Sequence, residues 1–122
     1  MAANEPAGQA SSQPRFRQDG YDSVLLCSAC GGEYLHHSKV EVFERAEDEQ
    51  TGLHVTAGVG PPTVDRDMAR NPSSRRHGLL INFWCEYCSA ITILSIAQHK
   101  GITCLETATT RDPNPNPEDE PQ

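Results

Sequence analysis

Two Cys-x-x-Cys pairs constrain this chain more than any other feature of its sequence. The first pair is Cys27 and Cys30, and the second is Cys85 and Cys88. Each pair follows an apolar run and precedes small residues, as in a tight turn whose backbone N–H groups point at sulfur. Two such turns complete the tetrahedral four-sulfur shell of a structural zinc site, at Zn–S distances of about 2.3 Å. The motif therefore predicts one zinc ion held by these four cysteines.

The interval between the two pairs, residues 31–84, is longer than the about 15–20 residues of the usual zinc-site template. Each pair is complete in itself, so a hairpin and a long loop can fill the interval without changing the ligand geometry. Four thiolates also close the coordination shell, so we expect a structural metal and no catalytic residues. Iron in the same cage and a thioredoxin-like redox pair are the alternatives to zinc.

Apolar and polar residues alternate with the period of two that is typical of strands. The predicted strands cover residues 24–26, 40–43, 53–57, 79–84, 91–96 and 102–107. The charged stretch 44–52 ends in glycine, as a hairpin loop does, and residues 98–101 predict a second turn. No stretch has the period of a long helix. The predicted fold class is therefore mostly β, a small zinc-ribbon domain of antiparallel hairpins around the four cysteines.

Composition divides the chain into one domain and two tails. Residues 1–20 are rich in Ala, Gly, Ser, Gln and Pro, and residues 108–122 are acidic and alternate Pro with Asn, so we expect both to be disordered. The β domain then covers residues 21–107, a size at which a metal supplements a small core. Within it, residues 59–78 predict a long loop with one short helical turn at 64–70. Loops of this length tend to be functional or mobile.

Composition and charge also limit the compartment and the partners. The chain has 122 residues, 36% of them hydrophobic, with five cysteines and a formal net charge of −7. We find no secretory signal and no apolar run that could span a membrane, so we expect a cytoplasmic protein without a membrane partner. An odd cysteine count in a reducing compartment favours metal binding over disulfides. The negative charge disfavours binding to nucleic acid, which needs a basic surface.

Two parts of the sequence are candidate partner contacts. The loop segment 66–76 is the one locally basic stretch, and its Arg75 and Arg76 can bind phosphate or a carboxylate. A solvated loop is the simpler interpretation of that segment. Trp84 next to Cys85 can stack on a base of single-stranded nucleic acid, or it can pack beside the metal.

Three further residues carry weaker signals. His36 and His37 can replace a ligand or act as a base, although a strand residue that faces solvent is the commoner outcome. Cys104 has no basic neighbour or helix N-terminus that would lower its pKa, so we expect a small buried hydrophobic residue there.

Four stretches of the sequence resemble a known group of proteins. They are residues 27–37 (CSACGGEYLHH), 71–81 (NPSSRRHGLLI), 83–88 (FWCEYC) and 94–107 (LSIAQHKGITCLET). Together they are similar to small zinc-ribbon proteins encoded in bacterial, actinobacterial and phage genomes, a group without an established activity. The resemblance implies the ribbon fold and the four cysteine ligands. For a phage-encoded chain the expected compartment is the host cytoplasm.

These features predict a non-catalytic zinc-binding module that presents its loop and the face around Trp84 to a protein partner. The acidic tail favours a protein over DNA. A nucleic-acid-binding zinc-ribbon regulator that uses Arg75 and Arg76 is the alternative. A nuclease of the HNH kind is less well supported, because an Asp-His pair, a spaced Asn and a helix with the last His do not accompany His36 and His37.

Overall fold

Strands alone build the regular structure of the described residues. The computed structural model describes residues 11–47, 49–58 and 60–111, and over these ranges it contains nine strands and no helix. The strands are β1 (Ser11–Ser12), β2 (Phe16–Asp19), β3 (Asp22–Leu25), β4 (Leu35–Glu44), β5 (Leu53–Ala57), β6 (Thr63–Asp65), β7 (Gly78–Cys85), β8 (Ala90–His99) and β9 (Ile102–Arg111). The predicted mostly β fold of antiparallel hairpins is confirmed. None of the described segments is a helix of the length and apolarity that crossing a membrane requires.

Seven of the strands form one antiparallel sheet in the order β1-β9-β8-β7-β4-β5-β6, while β2 and β3 form a separate hairpin. At the centre of the sheet, Ile81 of β7 lies opposite Val40 on one side and Leu94 on the other. The β8–β9 hairpin closes through Lys100 and Gly101, whose φ angles of 51° and 85° are both positive. Two consecutive positive φ angles are typical of the type I′ turn, whose twist matches that of the flanking strands.

The two faces of the seven-stranded sheet carry different residues. One face, here the aliphatic face, is defined by Val40, Val42, Leu53, Val55, Val64, Leu79, Ile81, Leu94, Ile96 and Leu105. The opposite face carries Glu41, Phe43, His54 and Leu80 at its centre. We call it the loop face because the loop that precedes β7 lies over it.

Residues 66–77 are anchored on the loop face by specific hydrogen bonds. The Ser73 hydroxyl donates to the Gln98 carbonyl oxygen at 2.7 Å, and the Arg45 guanidinium donates to the Ser73 carbonyl at 2.8 Å. The Asn71 carboxamide accepts from the Ser73 N–H at 2.9 Å, in a turn for which Asn is favoured. Phe43 is fully buried on this face. The loop therefore serves as a second layer over part of the sheet.

The helical turn predicted at residues 64–70 is wrong. Residues Thr63–Asp65 form β6 and pair with β5, with Val64 opposite Val55. The side chain of Asp65 also accepts a hydrogen bond from the Asp67 N–H at 2.8 Å. Pairing with β5 and the bond to the Asp65 side chain therefore use backbone hydrogen-bonding groups that a helix would satisfy internally.

Both predicted tail boundaries need correction. Residues 11–20, assigned to a disordered tail, include β1 and β2, and β9 continues past residue 107 to Arg111. The Ser12 and Thr107 side-chain oxygens lie 3.1 Å apart across the β1–β9 pair. Such hydroxyl pairs and the β-branched threonines of β9 stabilise strands without adding to hydrophobicity, so composition does not reveal them. The rest of each predicted tail, 1–10 and 112–122, lies outside the described residues.

Candidate metal centre

The four cysteines singled out from the sequence meet at one end of the sheet. Their Sγ atoms all lie within 4.8 Å of one another. The Cys27 and Cys88 sulfurs are 3.8 Å apart, and the Cys30 and Cys85 sulfurs are 3.6 Å apart. A tetrahedron with metal–sulfur bonds of about 2.3 Å has sulfur–sulfur edges of about 3.8 Å, whereas a disulfide needs about 2.05 Å. The separations therefore fit a shared cation and do not fit disulfides.

Backbone amides of both turns point at the sulfurs. The N–H groups of Ala29 and Cys30 donate to Cys27 Sγ at 3.4 and 3.5 Å. In the second turn, the Tyr87 N–H donates to Cys85 Sγ at 3.3 Å. Gly31 has φ 80°, a left-handed conformation that its lack of a Cβ permits, and this closes the first turn. These contacts stabilise the anionic form of sulfur, which is the form that binds metals.

A chain of hydroxyl groups attaches the first turn to β8 and β9. Thr92 and Cys27 are fully buried. The Thr92 side-chain oxygen accepts from the Ser28 N–H at 3.0 Å and lies 3.9 Å from Cys27 Sγ. The Thr109 hydroxyl in turn donates to the Ser28 hydroxyl at 2.5 Å. Apart from threonines at alternate strand positions, no pattern in the sequence indicates this support.

We expect Thr92→Val to destabilise the metal-loaded protein by about 1–3 kcal/mol, because the nearly isosteric change leaves the Ser28 N–H without its acceptor. The matched control is Thr103→Val, at an exposed threonine whose partner is the Gln98 side chain; we expect a change within about 0.5 kcal/mol there. Urea unfolding of both variants measures the difference. Equal losses in the two variants would show that Thr92 does not support the site.

The acidities of the thiols indicate that the cluster needs a cation to ionise fully. Burial raises the pKa of Cys27, but the N–H groups of Cys30 and Ala29 outweigh burial and bring that pKa down to about 6. Burial raises the pKa of Cys85 to about 12, and it raises the pKa of Cys88 as well. Neighbouring thiols oppose the ionisation of both, as expected for acidic groups that share a site. A divalent cation removes that opposition and displaces the remaining protons.

Two pairs of aromatic rings lie near the second cysteine turn, Tyr34 with Tyr87 and His36 with Trp84, and we call these four residues the aromatic patch. The His36 ring stacks on Trp84 with a centroid separation of 4.1 Å and an interplanar angle of 12°. The Tyr34 and Tyr87 rings are 5.7 Å apart, and the two residues are 50% and 63% exposed. A Cβ on Gly32 would lie 2.4 Å from the Tyr87 ring, so that ring packs directly on the first cysteine turn.

The other predicted partner contacts do not join this patch. Arg75 and Arg76 precede β7, whereas Trp84 is near its far end, about 20 Å away at the rise of a strand. Arg76 lies 3.7 Å from the Glu47 carboxylate, and Arg70 of the same loop lies 2.9 Å from the Glu41 carboxylate. The structure thus divides the candidate contacts between the two ends of the sheet.

His36, His37 and Cys104 fall outside the four-cysteine group. His36 Nε2 lies 2.5 Å from the Glu86 carboxylate, and His37 is an exposed residue of β4. The prediction that Cys104 is buried is wrong, because it is exposed. It lies opposite Ala97 on the loop face, in a groove beside residues 72–74 that the loop does not fill.

A second polar cluster was missed at the sequence level. Glu41 is only 3% exposed, and its carboxylate lies 2.9 Å from His54 Nε2 and 2.9 Å from Arg70 Nη2. His54 Nδ1 lies 2.8 Å from Asp65. Burial raises the pKa of the Glu41 carboxyl, but Arg70 and His54 outweigh burial and hold that pKa below its ordinary value. This cluster connects β4, β5 and β6 to the loop.

Comparisons of this chain with protein-family models, with curated proteins and with solved structures found no match.

Proposed function

We propose that this chain is a non-catalytic zinc-binding module whose metal fixes a surface that contacts a protein partner. One zinc ion is held by Cys27, Cys30, Cys85 and Cys88. The sulfur separations of 3.6 and 3.8 Å support a tetrahedral ion, and four-cysteine sites are typical of structural zinc. A closed shell of four thiolates has no position for substrate or an activated water, which supports a structural role.

The observation that carries the proposal is the aromatic patch beside the four cysteines. Tyr and Trp are enriched in protein interfaces and at their energetic hot spots. The patch is also preorganised, because the His36–Trp84 stack and the packing of Tyr87 on Gly32 fix its rings before binding. Binding to fixed rings costs less side-chain entropy than binding to mobile ones. A metal that holds both cysteine turns thereby also holds the binding surface.

The charges around the patch favour a basic segment of the partner. Glu86 contacts His36 within the patch and keeps 42% of its side chain exposed, whereas the nearby Glu33 already pairs with Arg17. The chain as a whole carries a net charge of −7. A Lys or Arg side chain can contact an aromatic face and a nearby carboxylate at the same time. The class of partner we propose is therefore a protein with an exposed segment rich in Lys or Arg.

The ion pairs of the loop before β7 favour a protein over a nucleic acid as the partner. Its Arg70 and Arg76 already pair with the chain's own Glu41 and Glu47. Phosphate binding depends on cations whose charge is not yet neutralised. We assign the loop to holding the sheet together and the aromatic patch to contact with the partner.

Fluorescence titration of Trp84, the single tryptophan of the chain, tests this proposal. The probe is a short peptide of Arg, Gly and Ser, with a peptide of Glu, Gly and Ser as its charge-reversed counterpart. We expect saturable binding of the basic peptide, weakened about five-fold in Tyr87→Ser through the loss of a cation–π contact worth about 1 kcal/mol. The matched control is Tyr21→Ser, at a fully exposed tyrosine just before β3 that lies outside the patch.

Circular dichroism and metal content confirm that Tyr87→Ser is folded. No saturable signal, or equal binding of the acidic peptide, would contradict the proposed partner class. Binding of a single-stranded oligonucleotide that is lost at high salt and in the Arg75→Ala/Arg76→Ala double variant would support the regulator alternative instead.

A further inference from the structure

The side of the sheet that carries the aliphatic face is covered at Thr92 and Thr107, which are buried, but its ten aliphatic residues are not. None of its ten residues is buried: seven are half-buried, while Leu53, Val64 and Leu105 are 41%, 65% and 49% exposed. Phe43 and Leu80, on the loop face, are the buried large apolar residues of the same strands. The usual pattern is thus inverted, because the face under the loop holds the Glu41 carboxylate and the His54 imidazole, while the ten aliphatic residues are partly exposed.

A single sheet with one apolar face normally packs that face against another layer. Contiguous exposed apolar patches above a few hundred Å² mark interaction sites in monomeric proteins. The first cysteine turn covers this side near the metal, where Ser28 contacts Thr92 and Thr109. Residues 12 and 13 cover Thr107, whose hydroxyl donates to the Ser12 carbonyl oxygen at 3.2 Å. The ten aliphatic residues lie beyond these contacts, toward the middle and the far end of the sheet.

We propose that the aliphatic face binds the same face of a second copy of this chain, in a face-to-face homodimer. The chain's own terminal stretches are poor candidates to cover it, because residues 1–10 and 112–122 contain one large apolar residue, Met1. The face itself carries no charge until Glu44 at its margin, opposite Leu53. It therefore has no charge that would select a basic or acidic partner. An uncharged aliphatic surface is instead complementary to an identical surface on a second copy.

The geometry of the sheet supports this occupant. A two-fold interface brings one patch against itself, which an uncharged aliphatic surface tolerates. Two such faces pack as in a β-sandwich, about 10 Å apart with strands inclined by about 30°. Six strands about 4.8 Å apart, over about five residues each, give a face of about 500 Å². Two copies then bury about 1,000 Å², close to the lower limit for a specific interface.

The homodimer leaves the aromatic patch accessible. His36 and Trp84 lie opposite each other in positions that alternate with Leu35 and Cys85, which places them on the loop-face side of the sheet. A dimer therefore carries two aromatic patches and can bind two basic segments of a partner with increased avidity. The dimer itself does not depend on the proposed function, because it uses other residues.

Sedimentation velocity of the full, metal-loaded chain over a range of concentrations tests the dimer. The main variant is Leu94→Lys, at the centre of the aliphatic face. Its matched control is Ile93→Lys, one residue earlier in β8 and on the opposite face, beside Asn82 and Ala108. We expect the wild type and Ile93→Lys to be dimeric, and Leu94→Lys to have a dissociation constant raised at least 100-fold. Circular dichroism and metal content report whether each variant is folded.

A milder variant, Val42→Thr, covers the case in which Leu94→Lys does not fold. It places one hydroxyl on each of the two facing surfaces at nearly constant volume. We expect a dissociation constant raised about thirty-fold, since two buried unpaired hydroxyls cost about 2 kcal/mol or more. The proposal is overturned by a wild type that is monomeric at about 0.1 mM, where an interface of this size should associate. It is also overturned if Ile93→Lys dissociates the dimer as strongly as Leu94→Lys, or if Val42→Thr has no effect.

Discussion

Removal of the metal is expected to unfold this protein. Chelation at neutral pH should abolish both the β-sheet circular dichroism signal and the cooperative thermal transition. Cys27 and Cys85 are two of the few buried apolar residues, and they join β3 and β7 at the cysteine cluster. Apparent free energies of zinc binding of about 10–16 kcal/mol are as large as the net stability of about 5–15 kcal/mol of a typical domain. We therefore expect the remaining contacts to be too weak to hold the fold.

The matched variants for this prediction are Cys85→Ser and Cys104→Ser. Cys85 belongs to the four-sulfur group, whereas Cys104 is exposed and outside it. We expect Cys85→Ser to reproduce the effect of chelation and Cys104→Ser to keep the wild-type thermal transition. A chain that stays folded after stoichiometric metal removal would contradict a structural metal.

The second large effect is expected for Glu41→Ala, with a loss of about 3 kcal/mol in the free energy of unfolding. Removing one partner of a buried ion pair costs about 3–5 kcal/mol, and we take the lower end because Arg70 is half exposed. His54 is buried and would lose the carboxylate at its Nε2. The control is Glu33→Ala. Glu33 pairs with Arg17 and is more exposed than Glu41, so its removal should cost at most about 1 kcal/mol.

Denaturant unfolding of the two variants at pH 7 measures these losses. Arg70→Ala and the Glu41→Ala/Arg70→Ala double variant complete a cycle that isolates the coupling between the two side chains. If Glu41→Ala costs no more than Glu33→Ala, the cluster on the loop face does not stabilise the fold.

The contribution of Glu41 should also depend on pH. Its pKa in the folded protein is lowered from 4.5, because Arg70 and His54 outweigh the effect of burial. A lowered folded pKa means that the stabilisation is fully present above about pH 4.5 and is lost as the pH falls through the folded pKa. The difference in unfolding free energy between wild type and Glu41→Gln should therefore shrink below pH 4.5. If the difference in unfolding free energy between wild type and Glu41→Gln does not change with pH, the stabilisation by Glu41 comes from packing and not from its charge.

The parts of the fold that could be predicted are those with local sequence signals. Strands are predictable from alternation over five or six residues, as in 53–57 and 79–84. The cysteine cluster was predictable because each Cys-x-x-Cys turn fixes two ligands without reference to the other turn. The 31–84 interval then affected the path of the chain but not the ligand geometry.

The parts that could not be predicted depend on contacts between distant residues. Glu41 alternates with Val40 and Val42, so its sequence pattern is that of a solvent-facing residue. Its burial requires Arg70, which lies 29 positions away. The β1–β9 pair likewise joins residue 12, which has the composition of a tail, to residue 107 at the end of a predicted strand. No local pattern contains either pairing.

X-ray absorption of natively purified protein at the zinc K-edge, together with elemental analysis, determines whether the four cysteines hold a zinc ion. We expect one zinc per chain with four sulfur neighbours at about 2.3 Å and no nitrogen or oxygen bound to the metal. Protein purified without a stoichiometric metal, or a metal with fewer than four sulfur ligands, would contradict a four-cysteine zinc site.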